Sequence, residues 1–275
     1  MRECADYFSI FAYTNTVNQM STTQVIFFSP THTSEKIAKA ISKGLSAEHT
    51  YQTNLTLDRD DSPIQITDSV AIIAIPVYAG RVAPEALKRV KRLRGSQTPA
   101  ILVAVYGNRD YEDALVELWD TVTPLGFVPL AAGAFVGEHS YSRAGMPIAE
   151  GRPDATDLQK AEKFGEECLK KLQSEQPLSP FFVKGNRPYR YVGPSTPAAP
   201  ICNDECSQCG CCIDSCPTGA ISQEASGTIV TDVNLCIKCC ACVKDCPQGA
   251  RIFDTPYTAK LHEMCKARRE PELFM

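Results

Sequence analysis

Between residue 24 and about residue 175, short apolar runs alternate with stretches whose apolar positions recur every third or fourth residue. That rhythm marks strands alternating with amphipathic helices, and hence a parallel sheet with helices on its faces. The pattern predicts strands at 24–28, 50–55, 70–76, 100–106 and 127–136, and helices at 34–45, 84–93, 111–125 and 155–173. The run Val70-Ala-Ile-Ile-Ala-Ile is apolar throughout, as a strand buried on both faces requires. Pro84 suits a first helical turn, Gly126 a helix end, and Asp154 an N-cap with Asp157 in the first turn. The expected fold is a doubly wound α/β sheet of five parallel strands in the order 2-1-3-4-5, with ligands at the carboxyl ends of the strands.

After residue 175 the texture changes. Pro177, Pro180, Pro188, Pro194, Pro197 and Pro200 break all periodicity and mark a connector over 176–200. Its Phe181, Phe182, Tyr189 and Tyr191 are expected to pack across a surface. Residues 201–257 then read as a small α+β domain of two halves that repeat each other, down to Gly219-Ala220-Ile221 and Gly249-Ala250-Arg251-Ile252. The predicted division is an extension over 1–21, a sheet domain over 22–175, the connector, the small domain, and a tail over 258–275. The tail's Lys260, Lys266, Arg268 and Arg269 read as a solvated helix face, with a docking patch for an acidic partner as the alternative. Residues 1–19 lack the apolar core of a signal peptide and read as a weakly ordered extension; Met20, just before the first strand, is a candidate start.

The length of 275 residues accommodates one ordinary and one small domain. A net charge of −4 implies no general attraction to nucleic acid or membrane, and the apolar runs are too short and too interrupted to span a bilayer. Fourteen cysteines without a secretory signal point to a reducing cytoplasm, where thiols ligate metal rather than pair.

Eight of the fourteen fall into two copies of one ladder. Cys206, Cys209, Cys212 and Cys216 precede Pro217, and Cys236, Cys239, Cys242 and Cys246 precede Pro247, each as C-x2-C-x2-C-x3-C-P. This is the bacterial run for cubane [4Fe–4S] clusters, whose fourth thiolate crosses to the other cluster. Cross-ligation assigns Cys206, Cys209, Cys212 and Cys246 to one cluster, and Cys236, Cys239, Cys242 and Cys216 to the other. Structural zinc also uses C-x2-C pairs, but two complete copies favour iron–sulfur chemistry. Cubanes further favour an anaerobic or low-oxygen cell. Cys202, Cys211 and Cys240 lie outside the spacing and read as packing beside the ligands, although Cys211 and Cys240 each adjoin a ligand and are possible substitutes. Cys4, Cys168 and Cys265 look unrelated to the clusters.

A second site follows the first strand. Ser29-Pro-Thr31-His32-Thr33-Ser34 leads straight into a helix, where hydroxyls, amide N–H groups and the helix dipole favour an anion. The missing lysine argues for a monophosphate over a nucleoside triphosphate. Simple capping of the helix explains the same residues. His139 reads as a structural hydrogen-bond partner, with proton transfer as the alternative. No Ser/His/Asp nucleophile set and no dinucleotide glycine motif stands out.

The Ser29–Ser34 loop resembles the phosphate loop of flavodoxins, and residues 76–84 and 105–115 resemble the two loops that flank the flavin ring in that fold. With residues 137–142 and the cysteine ladders, the chain is similar from Thr22 to Tyr257 to bacterial fusions of a flavodoxin-like domain with a two-cluster ferredoxin. The resemblance implies a flavodoxin-like domain followed by a ferredoxin-like one, and FMN as cofactor beside the two clusters. It implies that Ser29, Thr31, His32, Thr33 and Ser34 surround the phosphate, that Val77, Tyr78 and Ala79 flank one side of the ring, and that Tyr106, Gly107, Asn108, Arg109 and Tyr111 flank the other. His32 stands where the family has glycine, and a positive φ there would strain it.

The function implied is electron relay between FMN, the clusters and a soluble redox partner. The alternative is a flavin-dependent reductase of a small acceptor such as a quinone, nitro compound or unsaturated acid. A reductase predicts an open pocket bounded by the loop around His139, Tyr141 and Arg143; a carrier predicts a narrow exposed flavin edge with a charged rim. A sensor without throughput has little support in the sequence.

Overall fold

The computed structural model describes residues 22–67, 69–174, 180–193 and 196–275. The N-terminal extension with Met20, Cys4, and Pro177 and Pro194 of the connector lie outside the described residues. Among the described residues seven strands build the main sheet: β1 (Thr22–Phe27), β2 (His49–Asn54), β3 (Val70–Tyr78), β4 (Thr98–Tyr106), β5 (Phe127–Val136), β6 (Glu272–Phe274) and the two-residue Arg81–Val82, which pairs antiparallel with the end of β3. The first five are parallel in the order β2-β1-β3-β4-β5, the expected 2-1-3-4-5.

Alternation along the strands sends residues to two apolar layers. Val25, Phe27, Ile72 and Val103 pack under α1 (Thr33–Leu45) and α4 (Ala155–Gln173). Ile26, Phe28, Ile73 and Leu102 pack under α2 (Pro84–Val90) and α3 (Ala114–Val122). Each fully buried aliphatic or aromatic side chain contributes roughly 1.5–3 kcal/mol. The arrangement is a flavodoxin-like, doubly wound α/β sheet. On one face α1 and α4 touch backbone to backbone: a Cβ on Gly44 would lie 1.9 Å from the Glu162 carbonyl oxygen. A capping box between Asp154 and Asp157 starts α4, as its sequence suggests.

Two helices are shorter than their patterns. The one expected over 84–93 ends at Val90, because Leu93–Gly95 pairs as a strand with Ile64–Ile66 and buries Leu93 fully. The one expected over 111–125 starts at Ala114, because Glu112 is left-handed at φ 42. The Asp113 carboxylate is moreover taken by the connector, accepting from the backbone N–H groups of Asn186 and Arg190. The connector lies along α3: Phe181 packs edge-on against Trp119 at 5.0 Å, and Arg187 and Tyr189 both bind Asp120.

The cysteine-rich segment is built from two equivalent turns, α5 (Cys211–Asp214) and α6 (Ala241–Lys244), and two short antiparallel pairs. Ile221–Gln223 pairs with Ile229–Thr231, and Ile201–Cys202 with Arg251–Ile252. Helix α7 (Pro256–Met264) follows. The C-terminal segment, expected as a tail, then returns to the sheet domain, where β6 adds antiparallel to β5 and covers that edge. Arg268 pairs with Asp154 and Asp157, and the Tyr111 hydroxyl donates to Glu272 at 2.6 Å. Among the described residues no helix is long and apolar enough to cross a membrane.

Candidate functional site

The carboxyl ends of β1, β3, β4 and β5 open into one cavity of about 750 Å³. Its floor is the turn between β1 and α1. Ser29 Oγ accepts the Glu35 N–H at 3.0 Å, and the Ser29 N–H donates to Thr56 Oγ1 at 2.8 Å, so the loop is locked at both ends. His32 sits at φ 62, the left-handed conformation for which glycine would be the unstrained choice. Ser34 Oγ is buried at the cavity wall without a hydrogen-bond partner. A buried hydroxyl without an acceptor beside a helix N-terminus fits an absent anionic group such as a phosphate.

Ten of the thirteen residues expected at the flavin line this cavity: Ser29, Thr31, Thr33, Ser34, Val77, Tyr78, Ala79, Tyr106, Gly107 and Arg109. Three do not. The His32 ring turns away to the cysteine-rich segment, with Nε2 3.2 Å from Asp245 Oδ1. Asn108 is buried and its amide donates to the carbonyls of Cys265 and Ala267 at 2.7 and 2.8 Å, which ties down the returning C-terminal segment. Tyr111 is fully buried in the core behind Tyr106, ring centroids 5.4 Å apart. Both were drawn off by a segment about 160 positions away in the chain, which no local pattern reveals.

Gly107 is required by a close approach, since a Cβ there would lie 2.3 Å from the His139 ring. His139 lines the cavity and its Nδ1 accepts the Tyr141 N–H at 3.0 Å. Burial, with Arg109 and Lys244 nearby, lowers His139 to about 4, so it is neutral at physiological pH. Its hydrogen bond in the fold is that of an acceptor, from the Tyr141 N–H. Burial works against ionisation of Glu138, yet Lys244 and the Gly151 N–H hold its carboxyl below the ordinary range.

The far wall comes from residues not expected at the flavin: Arg190 of the connector, Ile237 and Lys238 of the second ladder, and Leu261 and Met264 of α7 with Lys260, which was expected on a solvated helix face. No local signal marks them, because only tertiary packing carries them over the sheet. Polar contacts fix this packing. Buried Arg89 donates to the carbonyls of Leu55, Thr56 and Pro217, Arg59 to that of Cys216, and Lys244 to Glu138 and to the Ser142 carbonyl.

The ladder cysteines gather round two further small cavities. Cys216, Cys236, Cys239 and Cys242 line one together with Cys240, and Cys206, Cys209, Cys212 and Cys246 line the other together with Cys211. Of the four ladder thiols in each, three come from one ladder and the fourth from the other. Cys236 also lines the large cavity. Burial raises the Cys239 thiol to about 12 and Cys242 to about 11, so both are protonated without metal and any metal must displace protons. Cys209 and Cys211 are exposed, whereas Cys240 is buried at the inner cavity in a left-handed conformation that Gly210 adopts in the first half. Among the described residues no three cysteine, histidine or carboxylate side chains converge on a point as ligands of one ion would.

No family model matches the chain, and no curated protein matches it. Among solved structures, a flavodoxin from Streptococcus pneumoniae is similar at 16% identity and TM-score 0.38, covering 55% of this chain and 99% of that one. A flavodoxin from the domain Archaea is similar at 10% identity and TM-score 0.34, over 56% of this chain and 99% of that one. Rubredoxin oxygen:oxidoreductase from Desulfovibrio gigas is similar at 12% identity and TM-score 0.35, over 56% of this chain and 36% of that one.

Proposed function

We propose that this chain is an electron-transfer iron–sulfur flavoprotein, which relays electrons between FMN in the large cavity, two [4Fe–4S] clusters in the small ones, and a soluble redox partner. The observation that carries the reading is Cys236, which lines both the large cavity and the cavity shared with Cys216, Cys239 and Cys242. FMN supplies two-electron or one-electron exchange and a cubane one-electron exchange, so the pair converts one currency to the other.

The chain's own residues do the holding. Ser29, Thr31, Thr33 and Ser34 offer hydroxyls to the phosphate. Val77, Tyr78 and Ala79 on one side, with Tyr106, Gly107 and Arg109 on the other, confine the ring. Arg109 pairs with Glu112 at 2.8 Å, which keeps its guanidinium at the cavity wall as a counter-charge. The four ladder thiols at each small cavity, beside Cys240 in one and Cys211 in the other, are the set that two cubane clusters would use, and two complete C-x2-C-x2-C-x3-C-P runs favour that over zinc. Anaerobic purification followed by iron, sulfide and flavin analysis tests the reading. About eight irons and about one FMN per chain are expected. Bound zinc, or flavin and clusters that never equilibrate in a reductive titration, would sink it.

A second reading, reduction of a small acceptor at the same flavin, is favoured by one observation. The cavity reaches past the flavin loops to a wall bearing Lys238 and Lys260, with Arg109 and Arg190, both paired to Glu112, at its side and Glu138 as its lining carboxylate. Such a wall suits an anionic acceptor such as an unsaturated acid. The expected bounding residues His139 and Tyr141 are present, while Arg143 is instead paired with Asp254 at 2.8 Å. Steady-state oxidation of the reduced protein by unsaturated acids, quinones and nitro compounds decides between the two. Turnover that saturates with one class supports the reductase, and equal slow reaction with all supports the carrier.

A further inference from the structure

The two halves of the cysteine-rich segment differ at one buried position. After its proline the first half continues Gly219-Ala220-Ile221, and the second Gly249-Ala250-Arg251. Ile221 is 5% exposed and belongs to the small apolar core, while Arg251 is 3% exposed. A guanidinium has thus replaced an aliphatic side chain in a place closed to water. It cannot lose its proton at any ordinary pH, so it must find compensation where it stands.

Among the described residues that compensation includes no carboxylate. Nη2 donates to the Pro200 carbonyl at 3.0 Å and to Thr231 Oγ1 at 2.7 Å, with Cys242 Sγ 3.8 Å away. Nη1 lies 3.3 Å from Cys202 Sγ. Nε is buried without any partner. The same side chain lines the cavity of Cys206, Cys209, Cys212 and Cys246, and touches a thiol of the other set. A buried cation with an unfilled donor, lining one cysteine-ringed cavity and touching a thiol of the other set, lacks only a negative charge, and thiolate-ligated clusters would supply it.

We propose that the fixed charge of Arg251 raises the reduction potentials of both clusters. The inference rests on the iron–sulfur reading. Its physical basis is that an added electron is stabilised by a nearby cation in a low-dielectric site, and that hydrogen bonds to cluster sulfur act in the same direction. Cys202, outside both ladders, holds one arm of the guanidinium, which gives a place to a cysteine the ladders leave over.

The test compares Arg251→Gln, which keeps polar reach and loses the charge, with Arg251→Lys, which keeps the charge on a different shape. Each holoprotein is purified anaerobically, checked for iron and sulfide, and titrated potentiometrically with the clusters followed by electron paramagnetic resonance. The expected result is a downward shift of both midpoint potentials in Arg251→Gln, and values near the parent's in Arg251→Lys. Equal shifts in both variants would make Arg251 a packing residue and overturn the proposal, as would fully loaded Arg251→Gln with unmoved potentials. If Arg251→Gln assembles no clusters, Arg251→Lys decides alone: parental potentials support a role for charge, and displaced ones overturn it. Parent protein without iron and sulfide would instead sink the reading beneath it.

Discussion

The sheet domain and the cysteine-rich segment are held together by different means. In the first, two apolar layers such as Ile26, Phe28, Ile73 and Leu102 on one face and Val25, Phe27, Ile72 and Val103 on the other are fully or almost fully buried. In the second, the buried cluster is Ala220, Ile221 and Ile229 with Cys212, Cys216 and Cys242, so half of it is cysteine. Hydrophobic burial can sustain the first alone, whereas on the proposed iron–sulfur reading a segment this small would draw its stability from metal. The functional cavity lies where the self-sufficient part meets the dependent one.

Iron chelation should break the comparison most visibly. Removing the metal is expected to expose residues 196–254 to protease while the sheet domain keeps its fold, as limited proteolysis with mass spectrometry would show. Protection of both parts after complete iron loss would contradict a metal-dependent segment. Next in size is a contrast between the two thiol sets. Cys239→Ser and Cys209→Ser should each lose about four irons per chain, but only Cys239→Ser should abolish equilibration with flavin. Stopped-flow reduction followed at flavin and cluster wavelengths would read this.

A smaller effect belongs to the sheet domain and sharpens the contrast through pH. His139 titrates near 4 when folded against a reference of 6.5. The unfolded chain therefore binds its proton first on acidification. Stability from this group is complete above pH 6.5 and is lost as pH falls through about 4. The loss amounts to about 3 kcal/mol, and His139→Gln should remove it from the acid limb of urea-unfolding curves of the flavin-free protein. The least effect is expected at Ser34. Its unpartnered hydroxyl does nothing for the empty fold, so Ser34→Ala should leave the thermal midpoint of the flavin-free protein unlowered. FMN affinity should fall about tenfold, close to the value of one hydrogen bond, in a fluorescence titration.

The legible parts of this molecule are those written locally. Strand order followed from apolar runs and their spacing, and the grouping of the ladder cysteines at two small cavities lies in two contiguous ladders, although Cys240 and Cys211 join them there. The left-handed conformation at His32 was anticipated from a position where glycine is usual. Its ring's destination was not, because Asp245 lies 213 residues away. Asn108 and Tyr111 sit in the loop that resembles a flavin loop, yet their side chains serve the returning C-terminal segment. The three residues Glu272–Phe274 that complete the sheet are too few to carry a periodic signal. Similarly, Glu112 ends a helical pattern by a backbone conformation that its own side chain does not favour.

Because β6 is stitched onto β5 while the connector is laced along α3, the cysteine-rich segment is inserted into the sheet domain rather than appended to it. A body moored by two lines from the same quay cannot drift or revolve as one on a single line can. Its separation from the cavity is therefore set by geometry and not by a binding equilibrium, and it stays the same however dilute the protein becomes.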